Sequence, residues 1–137
     1  MGDGLTPPEP TTHRLLVQPT SEPVIDRESI ENLRALNPDD NDEFLREIAG
    51  IFIEDTPKRL SELERSLATG DAVTFARAAH SIKGSSSNLG ALALRAAAEK
   101  LEHQARAQGL GGVETLLTAV KTEFARAQAE LTALLTV

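Results

Sequence analysis

The sequence predicts an all-α protein: an antiparallel four-helix bundle with an additional short N-terminal helix. Three observations carry that expectation. Apolar residues recur three and four apart from residue 24 onward, and no segment alternates with a period of two. Aromatic content is 3%, with no Trp, Tyr or Cys, so a core must be built from Leu, Ile, Val, Ala and four Phe. Leu and Ala are the strongest helix formers, which suits closely packed helices. Glycine, proline and asparagine fall where the apolar stripes stop, and they leave short turns between them.

At 137 residues the chain is long enough for one domain with a sizeable core and too short for two ordinary ones. Residues 1–23 carry Pro7, Pro8, Pro10, Pro19 and Pro23 among Thr, Ser and Glu, a composition that reads as a flexible tail or linker. His13 lies in it, and no role is read for it. The bundle is expected over residues 24–137. Asp26 is a plausible N-cap for a short helix to about Leu36, carrying Ile30, Leu33 and Leu36, and Asn37-Pro38 breaks it. A second helix is expected from Asp40, with Glu43 three residues on in a capping-box arrangement. Its stripe runs Leu45, Ile48, Phe52, Thr56, Leu60, Leu63 and Leu67. The phase survives Pro57, which predicts one long helix. Gly70-Asp71 ends it and caps a third helix, from about residue 72 to Asn88, with Gly90 past its end. The fourth begins at Ala91 or Leu92 and turns Leu94, Ala98, Leu101 and Ala105 inward. Gly109, Gly111 and Gly112 form the next turn. The last helix spans about Val113 to Leu135, with Val113, Leu116, Leu117, Val120, Phe124, Leu131 and Leu134 inward.

The absence of Cys excludes a disulfide framework and thiolate metal sites. No apolar run approaches the roughly 20 residues of a membrane span, and the polar, Pro-rich start is unlike a secretory signal, so a cytoplasmic protein is expected. The net charge of −7 is uneven. Residues 1–55 hold 4 Lys/Arg against 13 Asp/Glu, residues 56–106 hold 8 against 5, and residues 107–137 hold 2 against 3. An acidic chain with few aromatics is a poor nucleic-acid binder. The basic middle segment instead favours an anion or an acidic partner surface. Asp39 to Glu43 lacks the glycine and distal Glu of a calcium loop. Glu99 and His103 stand at i, i+4, but no second such pair accompanies them, so no metal site is expected. His103 lies about 170° from its helix's apolar stripe and reads as solvated.

The third helix holds the residues with chemical promise. Ala72, Phe75, Ala79, Ile82, Ser86 and Leu89 form one stripe, and His80 lies about 130° from its centre, facing water. A neutral imidazole is a competent nucleophile near pH 7 because its pKa is close to ambient. Lys83, on the same face one turn on, can meet the negative charge of a phosphoryl adduct. Gly84 and Ala76 leave low walls through which a second protein could approach, and Arg77 and Ser87 stand on the same side as docking candidates. Ser86 faces inward and is expected to bond back to the backbone. Asn88 is read as capping the helix end.

The string His80-Ser81-Ile82-Lys83-Gly84-Ser85 with Leu89-Gly90 resembles the signature of histidine-containing phosphotransfer (HPt) domains. Gly70-Asp71 before the helix and Leu101-Glu102 on the next one fit the same likeness, which covers about residues 24–135. The resemblance implies a helical bundle. It implies a non-enzymatic phosphorelay carrier of two-component signalling, in which His80 takes a phosphoryl group from a receiver-domain aspartate and passes it to another receiver. Lys83 would steady the phosphoryl oxygens, Gly84 would admit the receiver, and Glu102 would hydrogen-bond and orient His80. No cofactor is expected in the chain itself, the magnesium coming with the receiver. The protein is expected to act as a monomer, docking weakly through an apolar rim from the first two helices. Two other functions fit a helical bundle: an adaptor without phosphoryl chemistry, and a kinase dimerisation domain. The latter normally follows its histidine with an acidic residue, where Ser81 stands here.

Overall fold

The computed structural model describes residues 22–135; residues 1–21 of the expected tail, His13 among them, and residues 136–137 lie outside the described residues. Five helices and no strands make up this part of the chain: α1 (Arg27–Leu36), α2 (Glu43–Thr69), α3 (Ala72–Asn88), α4 (Leu92–Gln108) and α5 (Glu114–Leu135). Helix α2 packs on α3, α3 on α4, α4 on α5, and α5 back on α2, which closes a four-helix bundle. Short turns make successive helices antiparallel. Phe75, Leu63, Ile82, Leu94, Leu101, Val120 and Leu131 fill its axis, each fully buried. Phe52 and Phe124 meet edge to face, with ring centroids 5.6 Å apart, the arrangement that brings a positive ring edge to a negative face.

Most boundaries fall where local chemistry puts them. The Asp26 carboxylate accepts from the Ser29 amide as the N-cap of α1. Asp71 does the same for α3 through the Thr74 amide, at 3.1 Å. Gly70 takes the left-handed conformation that ends α2. Pro57 sits inside α2 without dividing it, as the unbroken apolar phase predicts.

Three local expectations need correction. Helix α2 starts at Glu43, not near Asp40, and no capping box forms. Asn41 and Asp42 both adopt positive φ, so the chain turns once more before the helix begins. Asp40 still supplies a cap, accepting from the Phe44 amide at 3.0 Å, while the Asp42 carboxylate is taken by Arg34 of α1. At the end of α3 the capping residue is Leu89, whose amide donates to the Ser86 and Ser87 carbonyls; Asn88 is still helical and exposed. On α5 the inward stripe includes a charge that periodicity did not single out: Glu123 is buried, its carboxylate held by Arg126.

Helix α1 lies across one end of the bundle, where α2 and α4 begin and α3 and α5 finish. The Asp26 amide donates to the Gly90 carbonyl at 2.8 Å, and the Ala93 amide donates to the Pro23 carbonyl at 2.9 Å. Arg27 reaches Glu130 of α5, and Arg34 reaches Asp42. The α3–α4 corner is thereby clipped to the chain entering α1.

Candidate functional site

Helix α3 turns Phe75, Ala79, Ile82 and Ser86 into the core. His80 therefore projects from the opposite side, its side chain 61% exposed. The Ser86 hydroxyl, fully buried, returns to the Ile82 carbonyl at 2.6 Å, so a polar residue in the stripe leaves no unpaired group. Helices α3 and α4 pack together, and Ala76 and Ala79 of the first and Ala98 and Ala105 of the second are all buried. Such small side chains let helix axes approach closely. A carboxylate at the edge of α4 then spans the gap to the imidazole.

That carboxylate is Glu102, beside the buried Leu101 and only 11% exposed along its side chain. His80 Nδ1 lies 3.2 Å from Glu102 Oε2 and 3.3 Å from Oε1. Lys83 Nζ sits 3.2 Å from Oε1, and Arg106 Nε donates to Oε2 at 2.9 Å. Burial alone would raise the Glu102 pKa. Hydrogen bonds from Arg106, Lys83 and His80 outweigh it and hold the carboxyl below its usual range. Glu102 is therefore an anion that only accepts, so the proton between the two groups belongs to Nδ1. The lone pair of the neutral ring is left on Nε2.

Each residue singled out by its position can now be located. Lys83 is not a free surface cation: it is partly buried and paired with Glu102. Gly84 is exposed, and a Cβ built on it would meet nothing within 4 Å. Ala76 is 2% exposed and belongs to the core, so it offers no surface to a partner, and the expectation of a low wall there is corrected. Arg77 and Ser87 are exposed on the His80 side of α3. His103 is exposed on α4, where it borders an open groove with Lys83, Glu102 and Arg106. Arg106 is the member of the cluster that the sequence reading passed over. Its signal was available, since Glu102 and Arg106 stand at i, i+4, the spacing of a helical ion pair. Among the described residues, no group of three or more His, Asp or Glu side chains could hold a metal ion. No helix among them is long and apolar enough to cross a membrane.

Fold and site together define a helical bundle presenting one solvent-facing imidazole backed by a buried carboxylate. The family model for the Hpt domain matches residues 47–130, a span that takes in most of α2, all of α3 and α4, and most of α5. The chain belongs to the Hpt domain family. It is 30% identical over 95 residues to histidine-containing phosphotransfer protein 2 of Arabidopsis thaliana, a match spanning 67% of this chain and 61% of that relative's length. Among solved structures, histidine-containing phosphotransfer protein B from Pseudomonas aeruginosa superposes with a TM-score of 0.74 at 30% identity, over 82% of this chain and 95% of that one. The histidine-containing phosphotransfer protein ZmHP2 from maize superposes at 0.75 with 22% identity, over 93% and 94% of the two chains, a likeness of fold.

Proposed function

We propose that this protein is a phosphorelay carrier of a two-component system, with His80 as the transient phosphoryl acceptor. One observation carries the reading: an exposed imidazole whose Nδ1 is engaged by an ionised carboxylate, leaving Nε2 to react. Family membership and the named relatives support it.

In the forward step Nε2 attacks the phosphorus of an aspartyl phosphate on a receiver domain. The N–P bond forms as the aspartate O–P bond breaks, and that electron pair returns to the receiver's carboxylate. The ring, still carrying its Nδ1 proton, becomes positively charged, and Glu102 is in place to meet that charge. Lys83 lies on the same face to pair with the phosphoryl oxygens. The step runs in reverse toward a second receiver. The receiver supplies the magnesium and most of the transfer machinery, so the chain is a carrier, not an enzyme. Gly84 keeps the approach to the ring open, with Arg77 and Ser87 beside it. A carrier must leave one partner to meet the next, which calls for a weak, short-lived complex made by a monomer. The reading places the protein in the cytoplasm, where receivers work.

The test is to mix the full chain with candidate phosphorylated receivers and follow phosphate on the chain. Acid-labile phosphate on His80, absent from His80→Gln, is the expected result. A partner function that survives His80→Gln unchanged, with no phosphate on the parent, overturns the reading in favour of an adaptor.

A further inference from the structure

The outward row of α2 carries charge that the fold does not use. Glu43, Glu47, Glu54, Lys58 and Arg65 are all exposed, and by helical phase all lie within about 45° of the direction opposite the buried stripe. Among the described residues, none of these five side chains makes a hydrogen bond or an ion pair. The flanks of the same helix differ: Arg59 is shared by Asp55 and Glu62, and Glu64 is taken by Lys121 of α5. Glu54 and Lys58 even stand at the spacing of a helical ion pair, yet none forms.

The row is sorted by sign. Before Pro57 it holds three carboxylates, and after Pro57 it holds two cations. By helical rise the centres of the two halves stand about 20 Å apart, more than twice the ~8 Å screening length at physiological ionic strength. Each half therefore presents its own local field, which the net charge of −7 does not describe. Counted from the Gly70-Asp71 turn, His80 is level with Ser61, with Lys58 and Arg65 about 5–6 Å to either side along the axis. Lys83 faces α4 through Glu102, so the other flank of α3, where Ala78 is buried, faces α2. Gly84, Ser81 and Arg77 are exposed between the ring and the α2 row, and Arg77, level with Arg65, adds a third cation to that end. Ile51, 61% exposed, lies between Glu47 and Glu54.

We propose that the α2 row is a two-signed docking strip that fixes the orientation of the receiver meeting His80. This rests on the carrier reading and adds to it the charge pattern the partner must carry. The partner brings an aspartyl phosphate, an anion, to His80, and Lys58, Arg65 and Arg77 border that end. About 20 Å away by helical rise, the partner carries basic side chains that lie against Glu43, Glu47 and Glu54, with an apolar group on Ile51. A receiver turned end for end sets like charge on like at both poles and is rejected. The strip acts on the encounter and makes or breaks no covalent bond.

The experiment follows the apparent second-order rate of phosphoryl transfer to the full chain, from the receiver that loads the parent fastest, at about 0.05 M and about 0.5 M salt. Two double variants each reverse one pole: Glu47→Lys with Glu54→Lys, and Lys58→Glu with Arg65→Glu. They move the net charge in opposite directions, yet each is expected to slow transfer about tenfold at low salt and to come within about twofold of the parent at high salt. Glu114→Lys, exposed on α5 diagonally across the ring from α3, is expected to stay within about twofold at both, its charge being screened from the strip. Circular dichroism checks that each variant is folded. The neutral pairs Glu47→Gln with Glu54→Gln and Lys58→Gln with Arg65→Gln should both slow transfer too, more weakly, and replace any reversal that fails to fold. Opposite effects of the two reversals overturn the proposal, because net charge alone would then steer the receiver. Rates that stay near the parent's, losses that persist at high salt, or an equal loss in Glu114→Lys overturn it as well. If no receiver loads the parent chain, it is the carrier reading itself that fails, a result separable from all of these.

Discussion

Two glycines six residues apart, Gly84 and Gly90, occupy the same motif for opposite reasons. Gly90 has φ +70°, and a Cβ there would stand 2.5 Å from Ser29 Cβ and 3.2 Å from the Asp26 carbonyl. Its smallness is demanded from inside, by the clip that seats α1 on the α3–α4 corner. Gly84 lies within regular helix, has no positive φ, and would meet nothing within 4 Å. A glycine inside a helix costs about 1 kcal/mol relative to alanine, and nothing in this fold offsets that cost. A residue that weakens its own helix, one turn after an exposed histidine, fits the proposed approach of a receiver to the ring. Internal packing thus accounts for Gly90 and leaves Gly84 to that proposal.

Substitution can break that contrast. Gly90→Ala carries the largest effect on stability: a strained left-handed residue and a collision with Ser29 together should cost about 2–3 kcal/mol. Urea denaturation measures this, and the folded fraction should transfer phosphate at the parent rate. Gly84→Gln should do the reverse. Its unfolding free energy should rise by about 0.5–1 kcal/mol, while the transfer rate from a receiver falls about tenfold, equivalent to ~1.4 kcal/mol. Equal losses of stability at the two positions would erase the distinction.

The smallest effect concerns pH and sharpens the comparison at the site itself. The folded-state pKa of Glu102 lies below its ordinary value of 4.5, where its three donors overcome burial. A depressed carboxylate stabilises the fold above the unfolded value, and that stabilisation is lost as pH falls through the folded one. Between neutral pH and about 5 the Glu102 contribution should stay constant. Below about 4.5 the parent should lose stability more steeply than Glu102→Gln, in which this titration is absent. Parallel acid-unfolding curves for the two proteins would remove Glu102 from the account.

Much of this was legible in the order of residues, and what was not has physical causes. The limits of α3 follow from Asp71 and from the stripe ending at Leu89, and the outward direction of His80 follows from the same stripe. Glu102 could be placed at the edge of the core because its angle to Leu101 and Ala105 is fixed by helical geometry. Periodicity reports directions around one helix and is silent on how far apart two helices stand. Ala76 shows this: its angle places it on the His80 side of α3, yet it is 2% exposed. The burial of Glu123 escaped notice similarly, since a Glu with Arg three residues on has the pattern of a solvated pair. The start of α2 was displaced by two left-handed residues, Asn41 and Asp42, that no apolar pattern encodes.

The seating of α1 differs from that of the other four helices. It fully buries one side chain, Ile30, packs Leu33 against the core, and is further fastened by the backbone clip at Gly90 and by ion pairs at its two ends. The four longer helices each bury six or more. With the smallest buried set of the five helices, α1 is expected to exchange its amide protons faster than α3 and α4, which hold the imidazole and its carboxylate.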